Sequence, residues 1–375
     1  WRIDVDPVVV EDPAGRVTGN VYLRGTLPLG LRGEVSGRWR LPDQRNYRFS
    51  ARVKGKLDRL GIDASLTEPA RLAFSGTGLD LNHEARAVGT LRAVEFDGSP
   101  WIPPGRLPLV SGSLSVDARL DAIGVSGTLT SPMFGPEQLR VRGSGKYAES
   151  VLDVVSLKAW MPRSGLAVST AGTVRFAEHA PVLDLKGDWT RFRWPLAGDA
   201  FVESVSGKYS LGGALPYAFE LTAQAVGPQI PAASFNAAGS IDRQQLLLGR
   251  FDGTTLDGRL SGSGRLSWDG DRPWRAQLNG RSLDLAKLRP DLSGRVDVIG
   301  EIEGRGFEAT APWTARVSKL SGSLYRRPLT GSGEIAHRNG TFALKRIQVA
   351  NAGSRVDIDG LWGPSVDLRW SANLK

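Results

Sequence analysis

The side chains able to make and break bonds are few and scattered in this chain. Its 375 residues contain three histidines, His83, His179 and His337, and no cysteine. A nucleophile relay needs a base within hydrogen-bond reach, and a zinc site needs several converging His, Cys or carboxylate ligands. The histidines stand far apart and none belongs to an HExxH pair, so surface positions are expected for them. The missing cysteines remove disulfides, thiolate metal sites and Cys nucleophiles together. Five Gly-x-Gly pairs occur, Gly76/Gly78, Gly143/Gly145, Gly262/Gly264, Gly304/Gly306 and Gly331/Gly333. None has the third glycine of a dinucleotide fingerprint, no GxxxxGK follows, and the pairs read as strand kinks and bulges. The stretch "DGDRPW" at 269–274 opens like a calcium loop but lacks its remaining ligands and distal glutamate, and reads as a hairpin turn. No enzyme, metal or cofactor is expected.

Charge offers more. The net charge is +9, and Arg38, Arg40, Arg48, Arg52, Lys54 and Lys56 crowd one short stretch. Several of them alternate with apolar residues, which predicts an outward basic strip on a sheet rather than a flexible arm. Such a strip suits solvation first and anionic lipid headgroups or an acidic partner next. Nucleic acid is not the expected partner.

The elements that must position these residues are strands. In "YRFSARV" Tyr47, Phe49, Ala51 and Val53 fall on one face and the arginines on the other; "LSVDARL" repeats this with Leu114, Val116, Ala118 and Leu120. The same period of two recurs at Leu183 and Leu185, at Tyr217, Phe219 and Leu221, and at Leu266 and Trp268. It continues at Trp274 and Leu278, at Val296 and Val298, at Trp313 and Val317, and at Leu368 and Trp370. These residues are the candidate lining of one apolar surface. Turn signals such as Asp97-Gly98, Asp252-Gly253, Asp269-Gly270 and Asn339-Gly340 predict roughly 30 to 40 strands of five to eight residues. Only "LDLAKLRPDL" and the stretch near His83 are expected to make a helical turn.

The chain also repeats itself. Ser-Gly openings at Gly112, Gly207 and Gly294 are spaced by 95 and 87 residues, and glycines Gly145, Gly239 and Gly333 by 94 and 94. Repetition at this period signals an array in which each unit rests on its neighbours. The units are expected at 112–206, 207–293 and 294–375, the last incomplete, after irregular repeats in 1–111. With no linker between them, one continuous architecture is expected. The fold class is all-β: an elongated, repetitive, mostly antiparallel sheet folded over into a hydrophobic groove, whose natural contents are acyl chains. Packing of the apolar residues against each other in a filled sandwich or solenoid is the alternative that pattern leaves open. No run of eighteen apolar residues occurs. The chain begins at Trp1 without Met or a signal-peptide pattern, and reads as a piece of a larger protein.

Phrases of this sequence resemble the repeats of the TamB family, a branch of the AsmA-like proteins. They are "LSGSGRLSWDGDRPWRAQLNGRSLDLAKLRPDLSGRVDVIGEIEG" at 260–304, "LDLKGDWTRFRWPL" at 183–196 and "SVSGKYSLGGALPYAFEL" at 204–221. Gly264, Trp268, Pro273, Trp274, Leu278, Gly280, Leu288, Pro290 and Gly294 match the family's order of glycine, strand, Pro-Trp, strand and Leu-x-Pro turn. The resemblance covers 160–375 well and 16–160 more loosely. It implies a middle, periplasmic segment of a Gram-negative protein that is anchored in the inner membrane by an N-terminal helix outside this piece. It further implies conduction of phospholipids toward the outer membrane, and a TamA-like outer-membrane partner met through regions outside this piece. Assembly of outer-membrane β-barrel proteins and autotransporters by strand templating is the second function implied. A β-solenoid adhesin or carbohydrate-active protein is the third class. A monomer is expected.

Overall fold

A computed structural model describes residues 1–375 except 27, 41–45, 81–84, 98–108, 178–179, 201, 228–229, 269, 307–310 and 375. His83, His179, Gly98 and Asp269 therefore lie outside the described residues. The chain divides into two units, one of Trp1–Trp189 with Leu196–Gly198, the other of Thr190–Pro195 with Asp199–Lys375.

The first unit holds β1 (Arg2–Asp12), β2 (Gly15–Arg24), β3 (Gly30–Arg40), β4 (Asn46–Lys56), β5 (Arg59–Glu68) and β6 (Leu72–Leu79). It continues with β7 (Arg86–Phe96), β8 (Val110–Arg119), β9 (Ile123–Thr130), β10 (Leu139–Ala148), β11 (Val151–Trp160) and β12 (Ala167–Arg175). Residues of β13 (Val182–Trp194) belong to both units. The second unit holds β14 (Val202–Gly213), β15 (Tyr217–Gly227), β16 (Ile230–Ile241), β17 (Gln245–Thr255), β18 (Gly258–Ser267) and β19 (Pro273–Asp284). It ends with β20 (Gly294–Arg305), β21 (Trp313–Leu324), β22 (Arg327–Arg338), β23 (Thr341–Asn351), β24 (Ser354–Trp362) and β25 (Val366–Asn373).

All 25 strands are assigned to one sheet. From β1 to β12, and again from β14 to β25, each strand pairs antiparallel with the next in sequence. Antiparallel neighbours exclude a parallel solenoid, and the sheet does not close on itself as a barrel: β1 pairs with β2 and β25 with β24 alone among the described residues. The repeat landmarks Gly112, Gly207 and Gly294 sit on β8, β14 and β20, six strands apart. Among the described residues two short 3-10 turns occur, Pro132–Phe134 and Leu285–Lys287, the second inside "LDLAKLRPDL"; the helical turn expected near His83 lies outside them.

The strands are fewer and longer than expected, 8 to 13 residues each. One reason is visible at Asp252-Gly253, a turn signal that lies inside β17. Another is that true hairpins form where no signal stands: Glu149-Ser150, Leu256-Asp257 and Tyr325-Arg326 all take positive φ at both turn positions without any glycine. That pair of conformations is the type I′ geometry that matches strand twist. Asn339-Gly340 does the same with the residues such a turn favours.

β-Bulges interrupt most ladders of the second unit, for example between Gly280 and Leu283 and between Leu344 and Ile347. Their extra residues Ser282 and Arg346 take positive φ. A bulge bends its strand and raises local twist, so a long strand can curve while keeping one face apolar. Buried apolar side chains are sparse: ten among the described residues, of which only Met161 is almost wholly enclosed. Leu283, Val296 and Leu329 form a packed cluster contributed by three strands, with Leu256, Leu285, Val298, Leu320 and Leu324 against it. It lines one margin of the second unit's sheet.

Candidate functional site

The pairing register turns the alternating pattern into continuous rows. In the first unit one row runs from β2 to β12 through Gly19, Val35, Ala51, Ala64, Phe74, Leu91, Leu114, Gly127, Val141, Ala159 and Val168. In the second a row runs from β15 to β25 through Phe219, Gly239, Leu248, Gly264, Ala276, Ile302, Ala315, Ile335, Leu344, Gly360 and Leu368. Every residue in both rows is apolar or glycine. None is buried: all are intermediate in exposure except Leu368, which is more open. A filled core would bury such side chains almost completely. Here they line a surface that the protein's own atoms leave partly uncovered.

Glycine makes that surface smooth. The Phe74 ring lies over the directly paired Gly76 and Gly89, so close that a Cβ on either would sit 2.8 or 2.6 Å from it. Trp274 lies likewise over Gly304, Leu278 over Gly262, and Leu283 and Val298 over Gly280. Large side chains can lie down along the sheet instead of standing into the space above it, because the neighbouring position has no side chain. Gly76, Gly262 and Gly304 belong to the Gly-x-Gly pairs expected as strand kinks and bulges, and Phe74, Phe235, Phe251, Phe342 and Trp362 are not among the expected lining residues. The available signal was glycine sharing the parity of the aromatic, as in Phe74, Gly76 and Gly78.

Most of the expected lining residues fall on the apolar face of their own unit and are half-buried: Tyr47, Phe49, Val53, Leu114 and Val116 in the first, and Tyr217, Phe219, Leu221, Leu266, Trp274, Val298, Trp313 and Val317 in the second; Leu183 and Leu185 of β13 are also half-buried. Trp268 sits just past β18, its indole Nε1 donating to the Asp242 carbonyl oxygen at 3.2 Å. Val296 is buried within the packed cluster rather than open. Leu278 is on the face but 36% exposed. Leu120 corrects the reading of 114–120: it has left β8, turns with the hairpin and is 77% exposed. Trp370, on β25, is 71% exposed, since no described strand packs beyond it.

The opposite face is charged. Arg38, Arg40, Arg48, Arg52, Lys54 and Lys56 are all exposed, with Arg38 directly opposite Arg48. Glu68 lies 3.1 Å from Arg48 and 3.9 Å from Arg38, and Glu34 lies 3.1 Å from Arg52. In the second unit a ladder of alternating sign crosses five strands. Arg275 reaches Glu301, Glu301 accepts from Arg316 at 2.7 Å, Arg316 reaches Glu334 at 2.9 Å, and Lys345 donates to Glu334 at 3.1 Å. Hydrogen bonds from Arg316 and then Lys345 hold the Glu334 carboxyl below the usual glutamate range, and Arg275 does the same for Glu301. His337 departs from the surface position expected of it. It is 9% exposed, stacked on Trp313 with ring centroids 5.7 Å apart and against Phe342 at 5.0 Å. No described group of three or more His, Cys, Asp or Glu is placed to hold a metal ion.

Antiparallel arrays of sequential strands, each with one unfilled apolar face and one charged face, define a repeating β-groove protein. The sequence profile described as "TamB, N-terminal domain" matches residues 137–375, and the chain belongs to the TamB family. That places it among the transport and assembly factors of the cell envelope. No helix among the described residues is long and apolar enough to cross a membrane.

Proposed function

We propose that the apolar face conducts phospholipids through the periplasm between the inner and outer membranes, with acyl chains lying on it and headgroups in water. The observation that carries this reading is the pair of unbroken apolar rows whose side chains stay half-exposed. Removing an acyl chain of about sixteen carbons from water is worth on the order of 10 kcal/mol, at roughly 0.8 per methylene. A smooth continuous surface lets that gain persist as the chain slides, because no single position holds it.

Templated assembly of β-barrel proteins needs a free strand edge. Every strand from β2 to β11 and from β15 to β24 is paired on both sides, so the hydrogen-bonding groups within each array are already taken. This favours the lipid reading over templating inside the array. The anchor and the TamA-like partner implied by family belong with the same proposal, through regions beyond this chain.

Photo-crosslinking side chains placed at Phe49, Val116, Phe219 or Trp274 should capture phospholipid from membranes, and those at Arg48, Glu220 or Arg275 should not. Equal capture at both sets would sink the proposal.

A further inference from the structure

We propose that a phospholipid held by the second unit is oriented, its glycerol and phosphate at the margin formed by the start of β19, the end of β20 and the successive hairpin ends as far as β24. The inference rests on the phospholipid reading above and adds to it a direction across the strands.

The apolar face of β19 to β24 is chemically divided. Its margin row consists of Trp274, Gly304, Trp313, His337, Phe342 and Trp362, each directly opposite the next. The rings from Trp313 to Trp362 form a chain of contacts: Trp313 on His337, His337 on Phe342, and Phe342 on Trp362 at 6.1 Å. Trp274 lies over the glycine of the row and its Nε1 donates to the Gly306 carbonyl oxygen at 2.9 Å. Away from this row the same face carries only aliphatic residues and glycine until the far end of the strands, where Arg327, Asn351 and Ser354 appear. Tryptophan and its kin concentrate where hydrocarbon meets water, since the ring is apolar and the N–H must find an acceptor.

Charge agrees with this placement. Behind the aromatic row, on the polar face, is a cavity of about 1340 Å³ bordered by Arg265, Arg275, Arg305, Arg338 and Lys345 against the single carboxylate Glu303. Arg275, Arg305 and Lys345 pair with Glu301, Asp271 and Glu334, whereas Arg265 and Arg338 have no ion-pair partner among the described residues. The surplus favours a phosphate at this margin. The opposite margin is occupied by the packed Leu283, Val296 and Leu329 cluster and has no aromatic row among the described residues; of its cations, Lys287, Arg289 and Arg295 pair with Asp257, Asp291 and Asp284, and Arg327 stands opposite Leu324 at the end of the face. From Gly304 to Val296 the strand advances about 26 Å at roughly 3.3 Å per residue, ample for the hydrocarbon of one leaflet, about half of a 30 Å bilayer core.

Two phosphatidylethanolamines test this on the intact chain, one with a diazirine on the headgroup, one with it at the acyl terminus, each read by mass spectrometry of the crosslinked peptides. The headgroup probe should label peptides containing Trp313 and Phe342 several-fold more than those containing Leu278 and Val317, and the tail probe the reverse. The double substitution Trp313→Leu and Phe342→Leu keeps the row apolar and should erase that preference while tail labelling persists. Equal or inverted labelling, or a preference unchanged by the double substitution, overturns the orientation and leaves the lipid reading standing. Absence of labelling by both probes on the apolar face defeats the lipid reading and the orientation with it.

Discussion

Gly76 and Gly89 have a structural role that no other residue can fill. Any side chain there meets the Phe74 ring and backbone oxygens of the adjoining strands, at 2.5 Å from Val88 O for Gly76. Gly76→Val should therefore cost about 1–3 kcal/mol, the usual range for overpacking, measured by chemical denaturation. It should also lift the ring off the sheet and reduce lipid capture at neighbouring positions. Glu334 makes a prediction of a different kind. Its carboxyl is buried and held ionised by Arg316 and Lys345, so its folded pKa lies below the unfolded value of about 4.5. The stability it contributes is fully present above that unfolded value, and is lost as pH falls through the depressed folded one. Glu334→Gln should flatten this acid-side decline in a thermal-melt series from pH 6 to pH 3, and an unchanged slope would remove Glu334 from the account.

At the scale of the strand, polarity is set by register and curvature by bulges. Leu278 illustrates what this allows, for it lies over Gly262 on the apolar face yet is 36% exposed and outside the buried cluster, so a longer charged side chain can extend away from the sheet. Leu278→Arg should leave the circular dichroism of the folded sheet unchanged and lower phospholipid capture, because a bound acyl chain would have to displace a hydrated guanidinium at a cost of a few kcal/mol. Full capture by the folded variant would count against transport along this face. The strands themselves were partly legible. Alternation at Tyr47 to Val53 and at Tyr217 to Leu221 placed those residues on the correct face. Strand length was not legible, since the Leu256-Asp257 and Tyr325-Arg326 turns carry no turn residue and Asp252-Gly253 carries the signal without the turn.

For the molecule as a whole, the pairing of each described strand with its sequence neighbours predicts stability local to each unit, as in other arrays with nearest-neighbour contacts. Leu329→Ala, which opens the packed cluster of the second unit, should cost about 2–5 kcal/mol there. Hydrogen exchange should show lost protection in β19 to β22 and unchanged protection in β1 to β12. Loss spread evenly over both units would mean that the chain unfolds as one cooperative body. The order of residues along the chain carried the all-β class, because period-two alternation is read directly from the sequence. It also placed one face dry and one wet. Tertiary pairing decided what those faces are. Whether apolar residues fill a core or line a surface depends on what packs above them, and a sequence does not record that distance. The aromatic row is the sharpest case: successive members Trp274, Trp313, His337, Phe342 and Trp362 stand up to 39 residues apart in sequence, and only the register of five strand pairings brings them into line.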